Sequence, residues 1–382
     1  MAITRIGNIA STIPDDSIAN VKMANIVQSK NIIINGDMSI AQRGTSATAL
    51  GNGDNGYHTC DRWRFFESGA PTAEFTMSQS TDVPSGQGFA TSLKLDCTTA
   101  QTSLASSDVI RIEQRIEGQN LQYLKKGTAN AESVTCSFWV KSSKTGTFIV
   151  ELNDSDNLRQ ISKSYTINSA NTWEKKTITY DGDTTGTLDN DSNNSIRFEM
   201  FLLAGTDFTS GTLATTWQAN DDADRAVGQV NLADSTSNEW YITGVQLEAG
   251  SVASDFEFLP HDVNLQRCFR YYEGGDGNDN AVNIYGITLR LCETIADFTG
   301  RMKIFGAQYF AIKRATPTLT LYGDSGFTTA NRINVYNDAT DTETVTSISG
   351  TNANTMGQYI GLSGTANSGK TYKFYYEADA EL

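Results

Sequence analysis

Apolar residues recur at every second position along most of this chain. In 133–141, Val134, Cys136, Phe138 and Val140 alternate with Thr135, Ser137, Trp139 and Lys141. A period of two is the mark of a strand with one buried face. The pattern returns at Leu93, Leu95 and Cys97, at Ile110, Ile112 and Ile116, at Phe148, Val150 and Leu152, and at Ile196, Phe198, Met200 and Leu202. Turn-forming stretches separate these runs: Lys144-Thr145-Gly146, Asp181-Gly182-Asp183, 189–194 and Gly205-Thr206. Short strands divided by such turns predict a sandwich or jelly roll. No long stretch has a period of 3.6, and only 119–126 and 262–270 read as one or two helical turns. The fold class expected is therefore all-β.

Four parts are expected along the chain. Residues 1–30 carry Ile6, Ile9, Ile13, Ile18 and Val21 among polar residues, broken at Pro14-Asp15-Asp16. This segment is too short for a core of its own and reads as an attachment arm. Residues 31–260 form a jelly-roll-like β-sandwich. Residues 261–280 form a connector ending in the glycine- and asparagine-rich run 274–280. Residues 281–382 form a smaller β-rich C-terminal domain, with strands expected at 282–291, 301–307, 318–322, 332–336, 344–348 and 371–376.

The last strand of the sandwich is read from Asn238 until Gly250 ends it; in it Tyr241, Thr243, Val245 and Leu247 alternate with Ile242, Gly244, Gln246 and Glu248. An extended exit to Pro260 comes next, then the run Leu265–Glu273. Near the start stand Asn35-Gly36-Asp37-Met38-Ser39-Ile40-Ala41-Gln42-Arg43-Gly44-Thr45 and then Asp61-Arg62-Trp63. Together these ends resemble the opening and closing of a carbohydrate-binding-like β-sandwich module of bacteriophage tail fibres and other virion appendages. The resemblance covers roughly residues 31–273. It implies a virion structural protein, assembled in the host cytoplasm and placed where the particle meets surface sugars. A tail-fibre subunit is the first reading. A capsid decoration or head-fibre protein and a polysaccharide-degrading tailspike are the alternatives. Attachment to other virion proteins through residues 1–30, and a homo-oligomer, a trimer first, belong to the same reading.

Composition narrows the function. The formal net charge of −15 opposes binding to the nucleic-acid backbone, so no nucleic-acid partner is expected. No stretch approaches the roughly 18 apolar residues of a membrane helix, and no leader-like run opens the chain, so no membrane insertion is expected. Five cysteines (Cys60, Cys97, Cys136, Cys268 and Cys292) form no CxxC pair and read as small core hydrophobes. With only His58 and His261 as histidines, neither a zinc site nor a histidine-activated nucleophile is expected.

Chemistry separates the candidate sites. Gly51–Gly56 has the spacing of a phosphate-binding loop but lacks the flanking strand and helix, so no nucleotide cofactor is expected. Asp189, Asp191 and Asn193 alternate like calcium ligands but lack the turn glycine and closing glutamate, and read as a solvated turn; no metal is expected. In Asp61-Arg62-Trp63, the tryptophan is expected in the core, with Asp61 and Arg62 paired at its edge. No catalytic residues are read, and a non-enzymatic protein is expected. Sugar binding needs an exposed ring with polar groups beside it. Trp139, on the outward parity of its strand, and Trp217, in a loop beside Asp221, are the candidates, with Tyr322, Tyr336 and Tyr359 as weaker ones.

Overall fold

The computed structural model describes residues 30–274 and, beyond them, 287–290, 298–308, 311–322, 330, 332–337, 342–347, 350–353, 357–366 and 370–382. The expected arm residues Ile6, Ile9, Ile13, Ile18 and Val21 lie outside the described residues, as do Cys292, the run 275–280 and the side chains of Tyr336 and Tyr359.

The alternating runs form strands, and the fold is all-β. In chain order they are β1 (Ser46–Leu50), β2 (Gly56–Tyr57), β3 (Arg64–Ser68), β4 (Glu74–Ser80), β5 (Ser92–Thr99), β6 (Val109–Glu117), β7 (Val134–Ser142), β8 (Gly146–Asp154), β9 (Arg159–Ile167), β10 (Glu174–Tyr180), β11 (Asn194–Ala204), β12 (Gln218–Ala219) and β13 (Glu239–Ala249). They make two antiparallel sheets, ordered β1-β4-β5-β13-β7-β10 and β12-β9-β8-β11-β6-β3-β2. One shared core lies between them. Phe75, Leu95, Phe138 and Trp240 enter it from the first sheet, and Phe65, Phe148, Phe198 and Ile112 from the second. Cys60, Cys97, Cys136 and Cys268 are buried free thiols.

Strand β13 departs from simple alternation. Trp240, Ile242, Val245 and Leu247 face the core, so Tyr241 and Thr243 do not share a face with Val245 and Leu247. The register shifts between Thr243 and Gln246, where Gly244 takes φ +62°. A Cβ on Gly244 would come 2.5 Å from the Phe89 ring. A bulge with a left-handed glycine flips the parity of the residues after it.

The opening and exit segments assemble together. Among the described residues the exit helix, His261–Phe269, is the second of two short α-helices, α2; α1 is Thr206–Thr209. Asn264 on α2 accepts from the Asn35 amide at 3.2 Å and donates to Asp37 and Ser39. Cys268 and Tyr271 share a small apolar cluster with Ile34 and Ile40. Gly36 sits so close to β13 that a Cβ there would meet the Val245 carbonyl oxygen at 2.1 Å.

Trp63 is fully buried and donates to the Asn35 carbonyl at 3.0 Å. Asp61 and Arg62, expected as a pair, go separate ways. Arg62 has φ +72°, which turns it away from its neighbour. Its guanidinium stacks 3.5 Å from the Tyr271 ring, donates to the Arg115 carbonyl at 2.6 Å and pairs with Glu381. Asp61 accepts from the Gln42 backbone and side-chain amides instead. Burial pushes the Asp61 carboxyl up to about 6, against the nearby Arg43.

The remaining strands are β14 (Tyr272–Glu273), β15 (Ile287–Arg290), β16 (Phe298–Gln308), β17 (Thr318–Tyr322), β18 (Arg332–Asn337), β19 (Thr342–Ser347), β20 (Gly350–Ala353), β21 (Gly357–Ala366) and β22 (Lys370–Asp379). β20 and β21 lie between the strands expected at 344–348 and 371–376. β14 pairs with β22, so the exit of the sandwich is hydrogen-bonded to the C-terminal strand. Arg43 adds ion pairs to Asp379 and Glu381 at 3.1 and 3.4 Å.

Candidate ligand-binding face

The outward side of the six-stranded sheet carries a set of rings and charges. The cross-strand register places Lys94 on β5 opposite Tyr241 on β13, and Tyr241 opposite Lys141 on β7. One step along, Thr243 stands opposite Trp139, and Trp139 opposite Lys175 on β10. Trp173, just before β10, completes the row. Its ring meets Tyr241 edge-on with centroids 6.2 Å apart. Residues directly opposite on a sheet face are close enough to act together on one ligand.

These side chains hold each other in place. Trp173 donates its indole N–H to Asp82 at 2.9 Å, and Lys141 pairs with the other Asp82 oxygen. Lys94 pairs with Glu239 at 2.6 Å, and the Tyr241 hydroxyl donates to Glu239 at 2.8 Å. Burial opposes ionisation of Asp82 and Glu239. The donors outweigh it, Lys141 and Trp173 for Asp82 and Lys94 and Tyr241 for Glu239, so both carboxyls sit below their ordinary values. Lys141 lies 4.2 Å from the Tyr241 ring centroid, and Tyr241 is buried. Trp139 and Trp173 are the half-buried rings that still meet solvent. Rings beside carboxylates and ammonium groups suit the apolar face and hydroxyl edge of a sugar.

Trp217 sits elsewhere. It precedes β12, at the edge of the other sheet, and its ring packs against the core. It donates to the Asp181 carbonyl at 2.8 Å, and Lys126 lies 4.8 Å from its ring centroid. The cavity beneath it measures about 30 Å³. Ligand pockets run to about 300–1,000 Å³. Trp217, half-buried like Trp139 and Trp173, packs against one end of the core. Asp221 caps a 3₁₀ turn, its side chain accepting from Ala223 N at 3.1 Å. The structure does not bring Trp139 and Trp217 onto one surface. Tyr322 donates to Glu377 at 2.7 Å, within the C-terminal unit. Trp173 is the residue the sequence pattern did not reveal. It lies outside the strand, but it shares the parity of Lys175 and Thr177.

The other candidates are local features. Asp191 accepts from the backbone and side chain of Asn193, an Asx turn. Among the described residues, no group of three or more His, Cys, Asp or Glu side chains could hold a metal ion. Likewise, no described helix is long and apolar enough to cross a membrane.

The outward side of the seven-stranded sheet is closed. Glu113, Glu151 and Glu199 are fully buried there, among Arg111, Arg197 and Arg225. One Arg225 nitrogen contacts Glu151 at 3.0 Å and Glu199 at 2.5 Å. The strap 205–231 carries Arg225 and adds Phe208, Leu213 and Ala226 over Ile149 and Phe201. Burial pushes the Glu151 carboxyl up to about 7; Arg225 opposes this and Glu199 adds to it. Paired carboxyls of unequal acidity can serve glycoside cleavage, which requires access to the sugar and a separation of about 5–10 Å. Glu151 and Glu199 share one guanidinium nitrogen beneath a strap, the arrangement of an anchor.

No family model matches the chain, and no curated protein matches it. Solved structures overlap it in part. The enzymatically active domain of bacteriophage CBA120 tailspike protein 4 aligns with a TM-score of 0.31 and 14% identity over 57% of this chain. That overlap spans only 21% of the tailspike chain. A family 61 carbohydrate-binding module in complex with β-1,4-galactotriose gives a TM-score of 0.29 and 11% identity, over 58% of this chain and 99% of the module. The family 11 carbohydrate-binding module of Clostridium thermocellum, with a mixed-linked tetrasaccharide, gives 0.27 and 10%, over 55% and 99%.

Proposed function

We propose that this protein is a non-catalytic, glycan-binding subunit of a bacteriophage appendage, a tail fibre in the first instance. The observation that supports it most is the pair of half-buried rings, Trp139 and Trp173, beside Lys94, Lys141, Asp82 and Glu239 on the outward side of the six-stranded sheet. The sequence resemblance at 35–45, 61–63 and 238–260 supplies the virion context. In this reading residues 1–30 join the protein to other virion proteins, and a homo-oligomer gathers several weak faces into strong attachment through avidity.

The test is binding of the purified protein to host surface polysaccharide, with the released sugar ends counted. Trp139→Ala and Trp173→Ala should each weaken binding about tenfold, the loss of one anchoring contact. Trp217→Ala should leave the affinity of the folded fraction unchanged. No new reducing ends should form. A chain lacking residues 1–30 should bind glycan yet be missing from particles. Shortened polysaccharide would move the assignment to a depolymerase. Unchanged affinity in both tryptophan variants would remove this face from the reading.

A further inference from the structure

Lys313 and Glu273 face each other where solvent reaches neither. Nζ lies 2.6 Å from Oε2, and both side chains are 0% exposed. Glu273 ends β14, the last strand leaving the sandwich, and Lys313 lies in the segment leading into β17. The pair therefore spans the seam between the two parts of the molecule. Other lysine–carboxylate pairs among the described residues keep some solvent. Lys141 and Asp82 are 11% and 47% exposed, Lys94 and Glu239 22% and 34%. Lys126 is nearly as buried, at 6%, between Asp154 and Asp183. Its partners also accept from other donors. Arg159 grips Asp183 at 2.7 and 3.0 Å, and the amides of Asp156 and Asn157 reach Asp154 at 2.9 and 3.0 Å.

We propose that Lys313 and Glu273 condense into an intramolecular amide, an isopeptide bond that covalently ties the exit strand of the sandwich to the C-terminal unit. The chemistry needs a neutral amine against a neutral acid. Taking two groups out of solvent penalises separated charges. Burial lowers the Lys313 ammonium from its ordinary value, with Glu273 opposing. The ammonium proton passes to the carboxylate. The Nζ lone pair then attacks Cδ, forming the C–N bond. The hydroxyl of the acid leaves with one amine proton as a single water, so atoms and charge balance without oxidant or cofactor. The Tyr376 hydroxyl donates to Glu273 Oε1, the oxygen that becomes negative in the tetrahedral intermediate. The Phe269 carbonyl accepts from Lys313 Nζ and holds the amine in place. Holding both reactants in contact replaces an encounter between free groups with a step inside one molecule.

Mass spectrometry of the purified, denatured full chain is the test. The wild-type chain should be lighter than its sequence by one water. Its digest should contain a branched peptide joining Glu273 to Lys313. Lys313→Arg and Glu273→Ala should each regain that water and give only linear peptides. Because the wild-type peptide map decides alone, misfolding of either variant leaves the result intact. Wild-type Glu273 and Lys313 found on separate linear peptides would overturn the proposal.

Discussion

The two outward faces of the sandwich are built from the same alternating strands and have opposite fates. On the six-stranded sheet the outward positions hold Trp139, Lys141, Tyr241 and Lys94, and Trp139 still meets solvent. On the seven-stranded sheet they hold Arg111, Glu113, Glu151 and Glu199, all but sealed beneath 205–231. The open face keeps its charges at the surface, where ion pairs are weak and serve to orient rings. The closed face puts charges where each depends on its partner. Polarity of the outward residues therefore does not say which face is open. The more heavily charged of the two is the one that is covered.

The sharpest way to break this comparison is to cut the anchor of the strap. Arg225→Ala would leave Glu151 and Glu199 buried without their shared guanidinium, which should cost about 3–5 kcal/mol. Denaturant unfolding measures it. A loss under about 1 kcal/mol, the range of an exposed pair, would mean that the strap does not seal this face.

The pH response should separate the faces next. Glu151 titrates higher in the folded chain, at about 7, than its ordinary 4.5. Its contribution to stability is therefore full below 4.5 and lost as pH rises through about 7. Asp82 and Glu239 on the open face are shifted downward, so their contribution is present at neutral pH and lost in acid. Thermal melts across neutral pH should fall on the alkaline side, and Glu151→Gln should flatten that fall. The same slope in wild type and Glu151→Gln would show that the closed face does not set it.

The smallest effect should be on the open face itself. Trp139→Ala should cost about 1 kcal/mol or less, as a surface change does, whereas its neighbour Phe138→Ala should cost about 3–5 kcal/mol. Equal drops in melting temperature for the two would show that Trp139 is core and that this face is not open.

Period-two patterning made the strands legible because burial alternates whenever a sheet has one dry side. Leu93, Leu95 and Cys97 on β5, and Val134, Cys136, Phe138 and Val140 on β7, are buried as their positions predict. The outward placement of Trp139 comes from the same parity. Patterning failed where the backbone leaves regular geometry. At Gly244 the bulge moves Tyr241 and Thr243 away from the face of Val245 and Leu247, and that change of phase decides that Tyr241 joins Lys94 and Lys141. Arg62 departs from its expected pairing because its left-handed conformation sends it to a residue 319 positions away.

The chain's own pattern of residues determined the class of fold, most strand positions and which side of most strands faces the core. These rest on local rules, since neighbours two apart share a face and glycine or asparagine permits a turn. Tertiary structure alone decided which outward face stays open, that Trp217 packs against the core, that Trp173 meets Tyr241, and that Lys313 meets Glu273. Each depends on contacts between residues far apart in the chain, and a side chain's exposure is set by what lands on it. Arg225 lands on Glu151 from 74 residues away and Lys313 on Glu273 from 40, separations that no local pattern encodes.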